Sequence, residues 1–217
     1  MLSGFGRPIR SRLHPTATGL VTLFLIIKHS SAYFQPNVLL QSSLLMPQVE
    51  SLTIFTFSVP NRDMEGQLKH APIVIHITLP TLRLFWFRGV SAYPEVVVCR
   101  ITSPRLEKLQ IRLKQLTFSV LCLVEFMDTT ENLRFDNAVI LFKDKEIDVP
   151  MSSREADIYH FSVTVDCRHF DQQVSSVAQI CNALSQVFSA VEHLSHQHKI
   201  HSQSSASEEH NDVDRIE

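Results

Sequence analysis

No Asp or Glu precedes Glu50 in this 217-residue chain, although Arg7, Arg10, Arg12 and Lys28 lie in that stretch. Glycine is almost as scarce, at five residues, which argues against loops that cradle phosphate with backbone N–H groups. Gly4-Phe5-Gly6 has no third glycine and no strand before it, so it is not a dinucleotide fingerprint, and neither a G-x-x-x-x-G-K-[ST] loop nor a G-x-S-x-G elbow occurs. Four cysteines are scattered without a C-x-x-C pair, and Cys99, Cys122 and Cys181 sit in apolar surroundings. They predict small buried thiols in a reducing compartment. The absence of any Asn-x-Ser/Thr acceptor agrees with an intracellular, cytoplasmic or nuclear address. The acid-poor N-terminus keeps mitochondrial or secretory targeting open. Its apolar run, residues 20–27, is far below the ~20 residues that span a bilayer, and its spacing reads as a strand. Net charge is −2, so no bulk field gathers nucleic acid or anionic membrane.

What the chain does have is a recurring spacing. Leu20-x-x-Leu23-x-Leu25 is followed by Val49-x-x-Leu52-x-Ile54, Leu82-x-x-Phe85-x-Phe87 and Leu106-x-x-Leu109-x-Ile111. Weaker copies stand at Leu133-x-Phe135, Ile158-x-x-Phe161-x-Val163 and Val191-x-x-Leu194. The steps, about 24 to 33 residues, lie within or just above the roughly 20–29 of leucine-rich repeats. One such unit cannot bury its apolar face alone, so neighbours must stack. The spacing predicts an α/β fold, an irregular leucine-rich-repeat-like solenoid of six or seven repeats, with a parallel sheet on one side and helices on the other. Strands are expected near residues 20–26, 50–56, 82–88, 106–112 and 158–165, in sequential order.

Helical signals fill the intervals. Asn37 is a candidate cap for a helix over 38–46, and Pro60-Asn61 precedes one over 62–70. Ser91 precedes a helix over 92–100 with Pro94 in its first turn, and Ser119 one over 120–127. Asp171 is the expected cap of the strongest helix, 172–190, with Val174, Val177, Cys181, Leu184, Phe188 and Val191 inward and Gln173, Ser175, Ser176, Gln179, Asn182 and Ser185 outward. Around Lys143-Asp144-Lys145-Glu146 the pattern loosens into a hairpin inserted in the stack. Residues 1–12 read as an N-terminal extension, 13–201 as the repeat unit, and 202–217 as a tail too polar to order by burial. The repeat opening at Val191 has neither room to close nor a polar cap, which suggests a fragment.

Candidate chemistry is thin. His193, His196, His198 and His201 crowd together, and imidazole is a common metal ligand, yet no cysteine or H-E-x-x-H pair joins them. They read as a solvated polar stretch leading into the tail, with metal binding the alternative. Asp128 and Glu131 flank Thr129-Thr130 in a loop and read as solvated acids. Trp86, the sole tryptophan, falls between core positions of its strand and points outward, a binding anchor or a residue packed under a loop. By the same alternation a partner-binding patch is expected at Arg83, Trp86, Glu107, Lys108, Gln110, Tyr159 and His160.

Several phrases agree in wording as well as in period: His14-Pro15-Thr16 through Leu25, Leu45-Met46-Pro47-Gln48-Val49-Glu50-Ser51-Leu52, and Pro60-Asn61-Arg62-Asp63 with His70-Ala71-Pro72. Gly89-Val90-Ser91-Ala92-Tyr93, Thr102-Ser103-Pro104-Arg105-Leu106-Glu107-Lys108-Leu109 and Phe188-Ser189-Ala190-Val191-Glu192-His193-Leu194 continue them. Over residues 13–215 the chain resembles the irregular leucine-rich-repeat region of the expanded F-box-type proteins of mushroom-forming fungi. That resemblance implies the substrate-recognition part of a ubiquitin-ligase adaptor, a non-catalytic protein-binding scaffold with an unidentified target protein and no cofactor, nucleic acid or membrane partner. The first 12 residues hold nothing like an F-box, which leaves docking to the ligase core without a segment to carry it. The repeat asparagine is also missing, its slots holding Lys28, Phe57, Val90 and Lys114, so irregular turns are expected. A metal or enzymatic protein built on the histidines, or a functionless truncated paralogue, are the alternatives.

Overall fold

The computed structural model describes residues 19–27, 36–56, 75–90, 92–114, 121–153 and 159–198. Ten strands and five helices lie within them. The strands are β1 (Thr22–Ile27), β2 (Ser51–Thr56), β3 (Ile77–Thr78), β4 (Leu84–Gly89), β5 (Ile101–Thr102), β6 (Lys108–Leu113), β7 (Asn137–Lys143), β8 (Glu146–Ser152), β9 (Phe161–Asp166) and β10 (His193–His198). The helices are α1 (Pro36–Leu44), α2 (Ala92–Val98), α3 (Leu121–Asp128), α4 (Phe170–Ala183) and α5 (Ser185–Ser189). The fold is α/β. An eight-stranded sheet runs β1-β2-β4-β6-β9-β8-β7-β10, and β3 pairs with β5 in a parallel two-residue ribbon.

The five expected strands stand side by side, parallel and in sequential order, with Leu23 opposite Leu52, Leu52 opposite Phe85, Phe85 opposite Leu109, and Leu109 opposite Phe161. That register is what the repeated spacing requires. Alternate residues of a strand share one face, and placing each motif's apolar pair in one core fixes every strand against the next. Leu52, Ile54, Phe85, Phe87, Leu109, Ile111, Phe161 and Val163 are all buried, as are Leu39 and Leu40 of α1, Tyr93 and Val97 of α2, Leu123 of α3 and Ile180 of α4. These belong to one core cluster, and Tyr93 stacks on Phe87 at 5.7 Å between ring centroids.

The sheet is not wholly parallel. β8 runs antiparallel to both β7 and β9, so the hairpin predicted around residues 143–146 is present and lies outboard of β9. Beyond it, β10 pairs parallel with β7. The histidine stretch expected to be merely solvated is therefore the last strand of the sheet, although every one of its residues is exposed.

The turns repeat more faithfully than the missing asparagine implies. Ahead of successive strands, Val49 N–H donates to Met46 O, Leu82 to Leu79, Leu106 to Ser103, Leu133 to Thr130 and Val191 to Phe188, at 3.0–3.3 Å. The carbonyl of Val21 accepts from the N–H groups of both Glu50 and Ser51. Glu50 O accepts in the same way from Arg83 and Leu84, Arg83 O from Glu107 and Lys108, and Asp136 O from Glu192 and His193. Side chains add rungs from one turn to the preceding one. Thr81 donates to Pro47 O and Val49 O, Ser103 to Leu82 O, and Asn132 to Pro104 O. Two hydroxyls and one amide thus satisfy backbone carbonyls of the neighbouring turns.

Other expectations need correction. The helix foreseen over 172–190 breaks at Leu184 into α4 and α5, and its N-cap is His169, without a side-chain cap bond, instead of Asp171. Its buried line is Gln173, Ser176, Ile180, Leu184 and Val187, while Val174, expected inside, is exposed. The cause is polar satisfaction. Gln173 Nε2 donates to Lys143 O at 2.6 Å beside the hairpin turn, and Ser176 Oγ bonds Gln172 O and lies 3.4 Å from Cys167 Sγ. Asn37 sits inside α1 instead of capping it. Cys99 and Cys122 are not separate thiols but a disulfide joining the end of α2 to the start of α3; Cys167 and Cys181 are free. The helix over 62–70, the caps Ser91 and Ser119, His201, and the segments 1–12 and 202–217 lie outside the described residues.

Candidate interaction surface

Among the described residues the helices bury their apolar side chains with one face of the sheet, and the other face is left open. Its side chains form rows across the strands. One row runs Phe24, Thr53, Trp86, Gln110, Ser162 and Pro150, and the next Ile26, Phe55, Arg88, Arg112, Thr164 and Asp148. Parallel strands lie about 4.8 Å apart, so each row is a continuous line of contacting groups.

The two halves of this face differ. On β1, β2 and β4 it is aromatic. Phe55 meets Phe24 edge-on at 5.2 Å and Trp86 edge-on at 4.8 Å, the offset geometry that ring quadrupoles favour. Phe24 is 50% exposed, Ile26 46% and Trp86 38%, with Val21 open at the same end. Isolated exposed apolar residues need no explanation, but a packed group of them on one face does.

On β6 to β9 the face is a closed polar network. Arg112 pairs with Glu146 and with Asp166, at 2.5 and 2.9 Å. Lys143 pairs with Glu146 and with Asp148, at 2.8 and 3.3 Å. Burial pulls the Lys143 pKa down, yet the carboxylates of Glu146 and Asp148 outweigh it and the net shift is upward. Asp148 also accepts from Ser162 and Thr164 at 2.7 and 3.0 Å. This half already has its partners.

The predicted patch is split between these regions and the margin. Trp86 and Gln110 are neighbours in one row, and Lys108 stands two residues along β6 from Gln110. Arg83 and Glu107 precede their strands and pair with each other at 2.6 Å, both half exposed, with the Arg83 pKa raised by that bond. His160 Nδ1 lies 2.9 Å from Glu107 O, and Tyr159 is exposed beside it. These four form a polar rim, so the structure does not gather all seven residues into one patch. Phe24, Ile26, Phe55 and Arg88 lie on this face outside the patch expected from the sequence. The signal was available: Phe24 occupies the same slot between core leucines as Trp86, and Ile26, Phe55 and Arg88 sit one step past their motifs.

Other groups offer less. His198 stacks on Phe142 at 4.8 Å, and among the described residues no three His, Cys, Asp or Glu side chains are placed to hold a metal ion. Asp128 and Glu131 are exposed at the end of α3. Glu95 of α2 accepts from the N–H groups of Cys122 and Leu123 at 3.1 and 3.3 Å, capping α3 from outside. Burial pushes its carboxyl up to about 7 despite those two bonds. Among the described residues no helix is long and apolar enough to cross a membrane. No protein-family model, curated protein or solved structure matches the chain.

Proposed function

We propose that this chain is a leucine-rich-repeat-like scaffold that binds another protein across the open face of its sheet. It works without catalysis, in the manner of the substrate-recognition part of an F-box adaptor. One observation carries the reading: five successive parallel strands keep their leucine-type positions in the core and align Phe24, Phe55 and Trp86 on the uncovered side. The repeated turn hydrogen bonds support the repeat component, since a stack of like units would reproduce the same local bonds at each step. Rigid aromatic side chains supply contact area at small entropic cost, and such residues carry much of the energy of protein interfaces.

The test is site-directed photo-cross-linking in extracts of cells that make the protein. A cross-linker at Gln110 should give a discrete protein adduct that Trp86→Ala diminishes, since truncating a central aromatic costs about 2 kcal/mol or more at a hot spot. The same group at Gln179, exposed on α4, should give none. An adduct confined to Gln179, or one at Gln110 indifferent to Trp86, would refute the assignment.

A further inference from the structure

Charge is distributed unevenly on the open face. Strands β1, β2 and β4 carry no acidic side chain, and their only charged residue is Arg88. Its neighbour in the row, Arg112, has Glu146 and Asp166. Arg88 has no such answer: its Nε is buried and has no hydrogen-bond partner among the described residues. A buried donor left unmatched is costly, and more so when it is charged. Lys114 stands close enough for burial, and after it the Arg88 charge, to lower its pKa. Asp166 opposes that lowering at Lys114, whereas Arg88 forms no ion pair among the described residues. On the same face, Phe55 is directly opposite Arg88 and Trp86 is two residues before it.

We propose that this half of the face docks an extended acidic segment of a partner protein. An apolar side chain of that segment seats on Phe24, Phe55 and Trp86, and a carboxylate about three residues along accepts a hydrogen bond from Arg88. The proposal rests on the open face being the binding face. The spacing follows from geometry. Counted from Phe24, the far edge of the aromatic group, Arg88 stands two strands away, roughly 10 Å across the sheet, and extended chain covers about 3.3 Å per residue. A carboxylate supplies the ion pair that the Arg88 guanidinium lacks among the described residues, and a charge-assisted bond next to an excluded aromatic surface is stronger than one in open water. Nucleic acid would need a stripe of cations, and here most of the others on the face are already paired.

The single tryptophan makes the test direct. The full chain is titrated with two peptides, three repeats of Leu-Ser-Ser-Asp and three of Leu-Ser-Ser-Lys, while Trp86 emission is followed. The aspartate peptide should produce a saturable blue shift at a concentration at least about tenfold below any response to the lysine peptide. Arg88→Gln should abolish that preference while leaving the far-ultraviolet spectrum and the unliganded emission unchanged, and Arg88→Lys should restore part of it. If Arg88→Gln does not fold, raised salt on the native chain serves instead, and it should weaken the aspartate peptide selectively. Equal or tighter binding of the lysine peptide would overturn the acidic partner and leave the binding face standing. Silence of Trp86 to both peptides overturns the docking site. Emission shifting only with protein concentration assigns the patch to a second copy, and a shift only with phosphatidylserine vesicles assigns it to a lipid surface; either result overturns the proposal.

Discussion

Replacing Gly89 with alanine tests how closely β4 and β2 are packed. Gly89 ends β4 on its core-facing side, and its backbone φ is not positive, so the substitution acts through space alone. A Cβ built there falls 2.0 Å from Thr56 Oγ1, 2.7 Å from Phe87 Cζ and 3.2 Å from Thr56 Cβ. The hydroxyl would have to retreat by more than an ångström, giving up its 3.2 Å bond to Arg88 O. The Phe87 ring cannot yield freely, being stacked on Tyr93. Overpacking of this kind costs about 1–3 kcal/mol, and the lost hydrogen bond about 0.5–1.5. Reduced freedom of the unfolded chain returns about 0.4–1 kcal/mol. A net loss of about 1–3 kcal/mol is expected from urea unfolding of Gly89→Ala followed by Trp86 emission. Thr56→Ala removes the clashing hydroxyl but leaves the 2.7 Å contact with Phe87 Cζ, so in that background the same change should still cost stability, though less, a coupling that a double-mutant cycle isolates. Equal costs in the two backgrounds would show that Thr56 does not fill the space beside Gly89 and would refute the packing argument.

Leu109→Ala, at a fully buried position in the middle of the sheet, should lower stability by about 2–5 kcal/mol in the same unfolding assay. An unchanged urea midpoint would show that the site is not core. Glu95 predicts a pH dependence. Its native carboxyl holds a proton up to about 7, against an ordinary value of 4.5, so the native state binds more proton between these values and stability falls as pH rises through them. Allowing for its partial exposure the effect is on the order of 1–2 kcal/mol, and thermal melts of Glu95→Gln from pH 4 to 8 should lose this slope. Reducing the Cys99–Cys122 bridge, which spans a sequence separation of 23, should cost about 3 kcal/mol of loop entropy, with dithiothreitol shifting the urea midpoint of the native chain but not of a Cys99→Ala/Cys122→Ala variant.

The strands were legible because their signal is local and redundant. Each Leu-x-x-Leu-x-Leu copy states which residues share a face, and four clear copies leave one parallel order to choose. The hairpin was legible from its two-residue turn. What failed were features set by partners distant in the chain. Nothing near Gln173 announces that Lys143 O will accept from it, so the α4 face was rotated toward its apolar residues. The Cys99–Cys122 bridge depends on α2 lying against α3, and four cysteines alone allow three pairings. The surface was half legible. Trp86 stood out by rarity, whereas Phe24 and Ile26 were absorbed into an apolar run that reads as buried from composition alone.

The hairpin also decides why the two halves of the open face differ. Chain order would place β7 next to β6, but β9 takes that position and β8 zips between β9 and β7. An antiparallel strand carries its side chains in a different sequence order, and β8 brings Glu146 and Asp148 onto the open face two strands from Arg112. Those acids neutralise Arg112 and Lys143, which leaves that half polar and satisfied. Arg88 lies one strand farther away. Beyond the hairpin, β7 behaves as the next unit in space: Asp136 O accepts from the paired N–H groups of Glu192 and His193 as Val21 O does from Glu50 and Ser51. The paired bond thus recurs between strands adjacent in the sheet, whatever their separation along the chain. At β9 the pattern changes, with His160 N–H donating to Met151 O and His160 O accepting from Leu109, so the hairpin alters both the local bonds and the chemistry of the surface without interrupting the sheet.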